Sequence, residues 1–239
     1  MIGQCYSKNN KKYNIIILAG GAGSRMGEAS DYIPKALSKL GELRAIDYII
    51  QRYMNVAHKF VIGTGYHADL LMSYVKGNYS KFDLEFSYEK PEEMKNNGIS
   101  TVYCLDHCDC RYPTVLLFCD LMPLSNFIIE DDSFLVATEK TFGNIGTFRH
   151  TIQDSIITEM KEPVRVSDGF NGVMGNFVFS DTVLLKELAY ANYGNMKDLT
   201  NDVVMNYTNI KILKGINCEK CFEFGNDVDI KKVREVWEQ

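Results

Sequence analysis

Tyr13-Asn14-Ile15-Ile16-Ile17-Leu18-Ala19-Gly20-Gly21-Ala22-Gly23-Ser24-Arg25-Met26-Gly27 is the stretch from which the rest of the chain is read. From Tyr13 to Ala19 the run is almost continuously apolar, as a central parallel strand buried on both faces must be; strict alternation would mark a strand with one wet face. The glycines that follow let backbone N–H groups close around phosphate oxygens, which need several convergent donors and a close approach. Two familiar glycine motifs fail the comparison. A P-loop ends in Gly-Lys-Ser/Thr, which is missing, and a dinucleotide fingerprint needs G-x-G-x-x-G, whereas Gly21, Gly23 and Gly27 are spaced one residue too long. The loop instead carries Arg25, and Pro34-Lys35 follow ten residues on. Arginine can hold phosphate oxygens bidentately, and lysine adds a point charge. A structural turn would need neither cation. Leu18, Ala19, Gly20, Gly21, Ala22, Gly23 and Ser24 are therefore expected to cradle a ligand's phosphates, with Arg25 and Lys35 as the cations that act on them.

Outward from this loop, apolar segments alternate with amphipathic ones. Strands are expected over 59–63, 83–88 and 114–120, and helices over 45–56, 67–76 and 99–108. Such alternation implies βαβ units and a parallel sheet. Beyond residue 130 the regularity fades: 134–139, 155–161 and 173–180 are strand-like with little helix between them, which predicts mixed or antiparallel pairing. A final helix is expected over 226–237, where Asn226 can cap and Ile230, Val233 and Val236 share one face. The expected fold is α/β: a Rossmann-like three-layer α/β/α arrangement on a mixed, mainly parallel sheet. No linker or repeat divides residues 1–239, so a single domain is expected. Ligands of open α/β sheets bind beyond the carboxyl ends of the strands, so the loops after Ala19, Tyr88 and Asp120 should converge.

Composition narrows the function. With 239 residues, 46% apolar and 24% charged, the chain can bury a real core, which excludes a disordered segment. The apolar runs are strand-length, far short of the roughly 18 residues a membrane helix needs. The polar start MIGQCYSKNNKKYN does not read as a secretory signal, and a cytoplasmic protein is expected. A net charge of −5 argues against a broad nucleic-acid-binding face, so an anionic partner must be met by a local site. Seven cysteines read as reduced thiols. Cys218 and Cys221 form a CxxC, and Cys104, Cys108 and Cys110 lie near His107; small buried hydrophobes are preferred over a zinc site, because the two groups are over a hundred residues apart.

The order L-A-x-G-x-G-x-R-M followed by P-K resembles the nucleotidyltransferases that join nucleoside triphosphates to phosphorylated metabolites, and the resemblance runs through most of the chain. It implies a nucleotidyltransferase fold and assigns further roles. Asp120, closing Phe118-Cys119-Asp120, resembles the strand-terminal aspartate that holds Mg²⁺. Glu89-Lys90-Pro91 and Asn97-Gly98-Ile99-Ser100-Thr101 resemble the stretch that meets base and ribose, which puts Gly98, Ser100 and Thr101 in the nucleotide site. Gly175-Asn176-Phe177-Val178-Phe179 is similar to the strand beside the acceptor, so Gly175 and Asn176 are expected to bind substrate. Lys161 stands for a later catalytic lysine. Glu223 stands for the second metal carboxylate, with Asp227 or Asp229 as substitutes. Tyr103 and Phe170 are further candidates to line an acceptor pocket.

These residue types suit the chemistry. An acceptor phosphate has a second pKa of about 6 and is ionised at neutral pH, so no general base is required. The difficulty is charge, which Mg²⁺ (or Mn²⁺) with Arg and Lys would neutralise. The resemblance is nearest to small bacterial CTP-dependent cytidylyltransferases. They imply transfer of CMP from CTP to a small phosphorylated acceptor of the phosphocholine or phosphoglutamine type, releasing pyrophosphate, in capsule or surface polysaccharide precursor synthesis. The alternative within the class is a sugar-1-phosphate nucleotidyltransferase using UTP or TTP. Outside it stand a nucleotide-binding regulator without turnover and a nicotinamide-dependent oxidoreductase. Monomer and homodimer are both left open.

Overall fold

Tyr13–Leu18, all six residues buried, forms the strand on which the molecule is organised. In the computed structural model, which describes residues 3–23, 32–92, 96–124, 126–137, 147–153, 156–164, 172–218 and 221–223, the chain opens with β1 (Cys5–Ser7) and continues into this β2. A short hairpin of β3 (Lys39–Leu40) and β4 (Leu43–Arg44) leads to α1 (Ala45–Tyr53); β5 (Ala57–Thr64), α2 (Ala68–Tyr79), β6 (Leu84–Tyr88), α3 (Asn97–Leu105) and β7 (Thr114–Phe118) follow. Three short strands come next: β8 (Leu121–Pro123), β9 (Phe127–Ile129) and β10 (Ser133–Ala137). The second half holds β11 (Thr147–Gln153), β12 (Ile156–Val164), β13 (Gly172–Phe179), α4 (Thr182–Asn192), α5 (Met205–Thr208), β14 (Lys214–Cys218) and β15 (Cys221–Glu223).

Nine strands make one sheet in the order β10-β14-β12-β11-β13-β7-β2-β5-β6. From β7 to β6 the pairing is parallel, and β13 joins β7 antiparallel. The sheet is therefore mixed, with its parallel part in the first half as expected. Alternation along β2 explains the layers. Ile15 and Ile17 pack against α1 and α2 with Ile46, Ile50, Leu71 and Val75, while Ile16 and Leu18 pack on the other face with Val102 and Leu105 of α3 and Leu185 of α4. Both faces of β2 are covered, giving a Rossmann-like three-layer α/β/α fold.

Most expected elements differ from the observed ones by two or three residues at their ends, but β1, β3, β4, β8, β9, β11, β14, β15, α4 and α5 were unread, and three of these are instructive. α4 has an Asp181 cap accepting from Leu184 N at 3.0 Å and buries Leu185 and Ala189, four residues apart on one face. β11 fills the gap before β12. The third is β1, which pairs in parallel with β9 far along the chain, too short a strand to signal itself by periodicity. The helix expected over 226–237 lies outside the described residues, as do Asp227 and Asp229.

Candidate active site

The loops after β2, β5 and β6 meet where their strands end, as the open-sheet rule requires. Backbone bonds set the spacing: Ala19 N donates to Gly63 O (3.0 Å), Tyr66 N to Gly20 O (3.0 Å), and Glu89 N to Thr64 O (3.0 Å). Between them lies a pocket walled by Leu18, Ala19, Gly20 and Gly21 on one side and by Asn97, Ser100 and Tyr103 of α3 on the other. Gly63, Thr64, Ser87 and Glu89 close its end. Gly23 has φ +65°, a left-handed turn glycine accommodates. Ser24 and Arg25 lie outside the described residues, so the phosphate end of the loop is seen only as far as Gly23.

Helical periodicity sorts the residues expected on α3. Asn97, Ser100 and Tyr103 recur every three residues and face the pocket. Thr101 turns into the core, fully buried, with its Oγ1 donating to Asn97 O at 2.7 Å. Gly98 also faces away: a Cβ there would fall 2.0 Å from Met196 Sδ, so the glycine admits a close approach from the second half of the chain. Asn96 fixes the helix start, its Oδ1 accepting from Gly98 N and Ile99 N and its Nδ2 donating to Met196 O. Of the three residues expected in the nucleotide site here, only Ser100 lines it; the correction for Gly98 and Thr101 follows from the 100° turn per residue.

Glu89, within the stretch that resembles a base-and-ribose site, is buried to an unexpected degree. It is 4% exposed, and its Oε2 accepts from Ser100 Oγ at 2.6 Å, so a carboxylate is built into the pocket wall. A glutamate at a strand end reads as a solvated residue in sequence. Only the pairing of β6 beside β5, with α3 packed over them, buries it.

Lys35 and Asp120 come together from different elements. Pro34 (ψ 143°) leads into a 3-10 turn, Lys35–Leu37, closed by Ser38 N donating to Lys35 O at 3.0 Å. Asp120 follows β7, and Lys35 Nζ lies 2.6 Å from its Oδ2, with the lysine side chain only 10% exposed. The turn is braced from behind: Arg44 donates to Leu37 O (2.6 Å), its backbone N donates to Asp47 Oδ2, and Tyr74 and Tyr79 hydroxyls donate to the same buried carboxylate. Cys119, next to Asp120, is no nucleophile, because burial pushes its thiol up to about 12.

β8 follows Asp120 and pairs antiparallel with β15, from the far end of the chain, so that Glu223 stands opposite Leu121, the residue after Asp120. Among the described residues no three His, Cys, Asp or Glu side chains gather at one point. Gly175 adjoins β8. It has φ +58°, and a Cβ on it would lie 2.1 Å from the Phe118 ring. Asn176, expected beside it as an acceptor contact, projects to the α1 face of the sheet, as does Val178, and is 3% exposed there. Lys161 lies on β12 opposite Arg149, three strands from β7, and is not brought to Lys35 by the sheet order. Phe170 lies outside the described residues. Cys104, Cys119, Cys218 and Cys221 are buried in the apolar cores, Cys110 is exposed, and no helix among the described residues is long and apolar enough to cross a membrane.

Residues 15–130 match the model of the MobA-like NTP transferase domain. No curated protein matches the chain by sequence. Solved structures do match in fold. The CTP:phosphocholine cytidylyltransferase from Streptococcus pneumoniae superposes with a TM-score of 0.77 at 17% identity, over 95% of this chain and 99% of that one. The inositol-1-phosphate CTP transferase from T. maritima gives 0.70 at 14% identity, over 94% and 97%. A glucose-1-phosphate thymidylyltransferase, described as putative, from Bacillus anthracis gives 0.70 at 19%, over 94% of both chains. β2, the glycine loop, Lys35 and Asp120 all lie inside the segment that matches, and the whole chain shares the fold of these nucleotidyltransferase structures.

Proposed function

We propose that this protein is a cytidylyltransferase that moves CMP from CTP to a small phosphorylated acceptor, of the phosphocholine or phosphoglutamine type, and releases pyrophosphate, in the cytoplasm and toward capsule or surface polysaccharide precursors. The observation that carries the choice of base is the carboxylate of Glu89 in the pocket wall, held by Ser100. Cytosine presents an exocyclic amine, a donor, where uracil and thymine present a carbonyl oxygen. A buried carboxylate only accepts, so it bonds the amine and repels the carbonyl.

The acceptor phosphate attacks with an oxygen that is already ionised. A bond forms from that oxygen to the α-phosphorus while the bond from the α-phosphorus to the bridging oxygen breaks, and the electron pair leaves on pyrophosphate. No proton has to be removed. Lys35 stands at the Asp120 end of the site to offset the charge that gathers between the two phosphates, joined by Arg25 from the loop, and its ion pair with Asp120 holds it there before substrate arrives. Asp120 and Glu223 are the residues that would hold Mg²⁺, an oxygen-seeking cation that commonly takes one or two carboxylates and completes its shell with phosphates and water. When bound it would neutralise triphosphate oxygens. Gly175 shapes the wall beside Phe118 and β8 for the acceptor.

A pyrophosphate-release screen of four nucleoside triphosphates against phosphocholine, amino-acid phosphates and sugar phosphates tests the reading. CTP with a phosphocholine-type or amino-acid phosphate is expected to turn over best, and equal or better turnover of UTP or TTP with a sugar 1-phosphate would replace it. Glu89→Gln, which turns an acceptor into a group that can also donate, is expected to lower the CTP:UTP ratio of kcat/KM by about 10²-fold, the scale of a hydrogen bond to a charged group.

A further inference from the structure

A second polar cavity lies away from the nucleotide pocket, between α1 and β8. Its walls are Arg52 and Tyr53 of α1, Leu121 and Met122 of β8, Leu124 just after it, and Asn176 of β13. The three polar side chains are almost wholly withdrawn from solvent: Arg52 is 4% exposed, Tyr53 2% and Asn176 3%. Among the described residues Tyr53 Oη and Asn176 Nδ2 have no hydrogen-bond partner. A buried amide donor and a buried hydroxyl left unpaired cost free energy, so two of them on one cavity wall call for a group that bonds both.

The chemistry of the wall defines that group. Asn176 Nδ2 is a donor, Tyr53 Oη can donate, and the Arg52 guanidinium, permanently charged, brings fixed positive charge beside them. The occupant must therefore accept several hydrogen bonds and carry negative charge. The cavity has about 50 Å³ of room. One water-sized group needs roughly 10–15 Å³, so about three or four fit, which matches the oxygens of one tetrahedral oxyanion. A nucleotide or a sugar phosphate does not fit.

We infer that this cavity is an anion site, separate from the nucleotide pocket, that takes one free inorganic phosphate between Arg52, Tyr53 and Asn176. Its wall includes Leu121, next to Asp120, so the bound phosphate braces β8 behind the turn that carries this carboxylate. Pyrophosphate hydrolysis is the class of reaction that would supply this ligand from the product of the proposed transfer. Water alone would satisfy the two polar atoms without responding to phosphate concentration, which separates the two cases.

Thermal unfolding of the full chain tests this with the nucleotide pocket filled by a non-hydrolysable CTP analogue and Mg²⁺, so that added phosphate cannot act there. The analogue's own shift is measured first, which exposes a failure of the CTP reading separately. Millimolar phosphate is expected to raise the Tm of the wild-type protein above that in chloride at equal ionic strength. Tyr53→Phe, nearly isosteric, should weaken the apparent phosphate affinity roughly threefold to tenfold, as one lost hydrogen bond does, and Asn176→Leu should abolish the response. If Asn176→Leu does not fold, Tyr53→Phe alone decides. A wild-type protein indifferent to phosphate overturns the inference, as does an equal phosphate response in wild type and Tyr53→Phe.

Discussion

Replacing Gly175 by alanine probes how the wall beside Phe118 and Asp120 is built, and its cost can be worked from two observations. The residue sits at φ +58°, where an L side chain costs about 1–2 kcal/mol from contact with its own backbone. The added Cβ would also lie 2.1 and 2.3 Å from two carbons of the Phe118 ring, well inside contact distance, and overpacking of that kind costs about 1–3 kcal/mol. Together Gly175→Ala should destabilise the protein by about 2–5 kcal/mol, a large share of the 5–15 kcal/mol typical of a folded domain. Urea unfolding should show a lower midpoint at unchanged slope. The two contributions can be separated. Phe118→Leu removes the clash but not the backbone strain, so in a double-mutant cycle it should recover at least about 1 kcal/mol in the alanine background while costing stability on its own. A loss below about 1 kcal/mol for Gly175→Ala, or no coupling to Phe118, would refute the reasoning. Phe118 is two residues from Asp120, so activity should fall further than the unfolded fraction explains.

Lys35→Ala should lower kcat by about 10²-fold or more while the fold survives, since a transition-state charge is removed from a prearranged site; near wild-type kcat/KM in the folded variant would remove the phosphate-clamp role. Activity should vanish with chelator, return with Mg²⁺ or Mn²⁺, and fall severely in Asp120→Asn and Glu223→Gln. Full metal-dependent activity in Glu223→Gln would move the second ligand to Asp227 or Asp229. At alkaline pH the buried thiols act against the fold. Burial raises Cys5, Cys108 and Cys119 to about 12, whereas an unfolded thiol ionises near 8.5, so between these values the unfolded chain binds fewer protons and stability falls as pH rises. The contribution is fully present below about pH 8.5 and gone by about pH 12. The urea midpoint of Cys119→Ala, compared with wild type across pH 8 to 11, should fall less steeply, and an identical slope would exclude this thiol as a contributor.

What was legible in sequence depended on periodicity. The buried run 13–19 announced a central strand because only a position covered on both faces tolerates it, and the open-sheet rule then placed the convergence of loops after Ala19 and Tyr88. Lys35 was visible because a lysine behind a proline, ten residues from a glycine loop, has no structural need to be there. Glu89 was visible only as part of a stretch resembling a base-and-ribose site, and its burial was not, because that is made by elements distant in sequence. Asn176 shows a signal that was present and unused: alternation along β13 sends Phe177 and Phe179 to the α3 side and therefore Asn176 and Val178 to the α1 side. Thr101 and Gly98 illustrate the same point on a helix, where one residue's shift exchanges pocket for core.

The place of β13 in the sheet bears on how the protein is made. When a ribosome has released the chain only as far as Glu130, β2, β5, β6 and β7 exist, but β7 presents an open, apolar edge to solvent, because its neighbour β13 has not been synthesised. Phe177 and Phe179 on one face and Val178 on the other also complete both hydrophobic layers. The nascent half is thus an incomplete folding unit with a strand edge inviting any other strand. A gene fragment cut at the boundary of the matched NTP transferase segment would reproduce that stalled intermediate, and it should gather in the insoluble fraction, whereas a chain extended through α4 closes the edge and covers Leu18 and Leu116 from above.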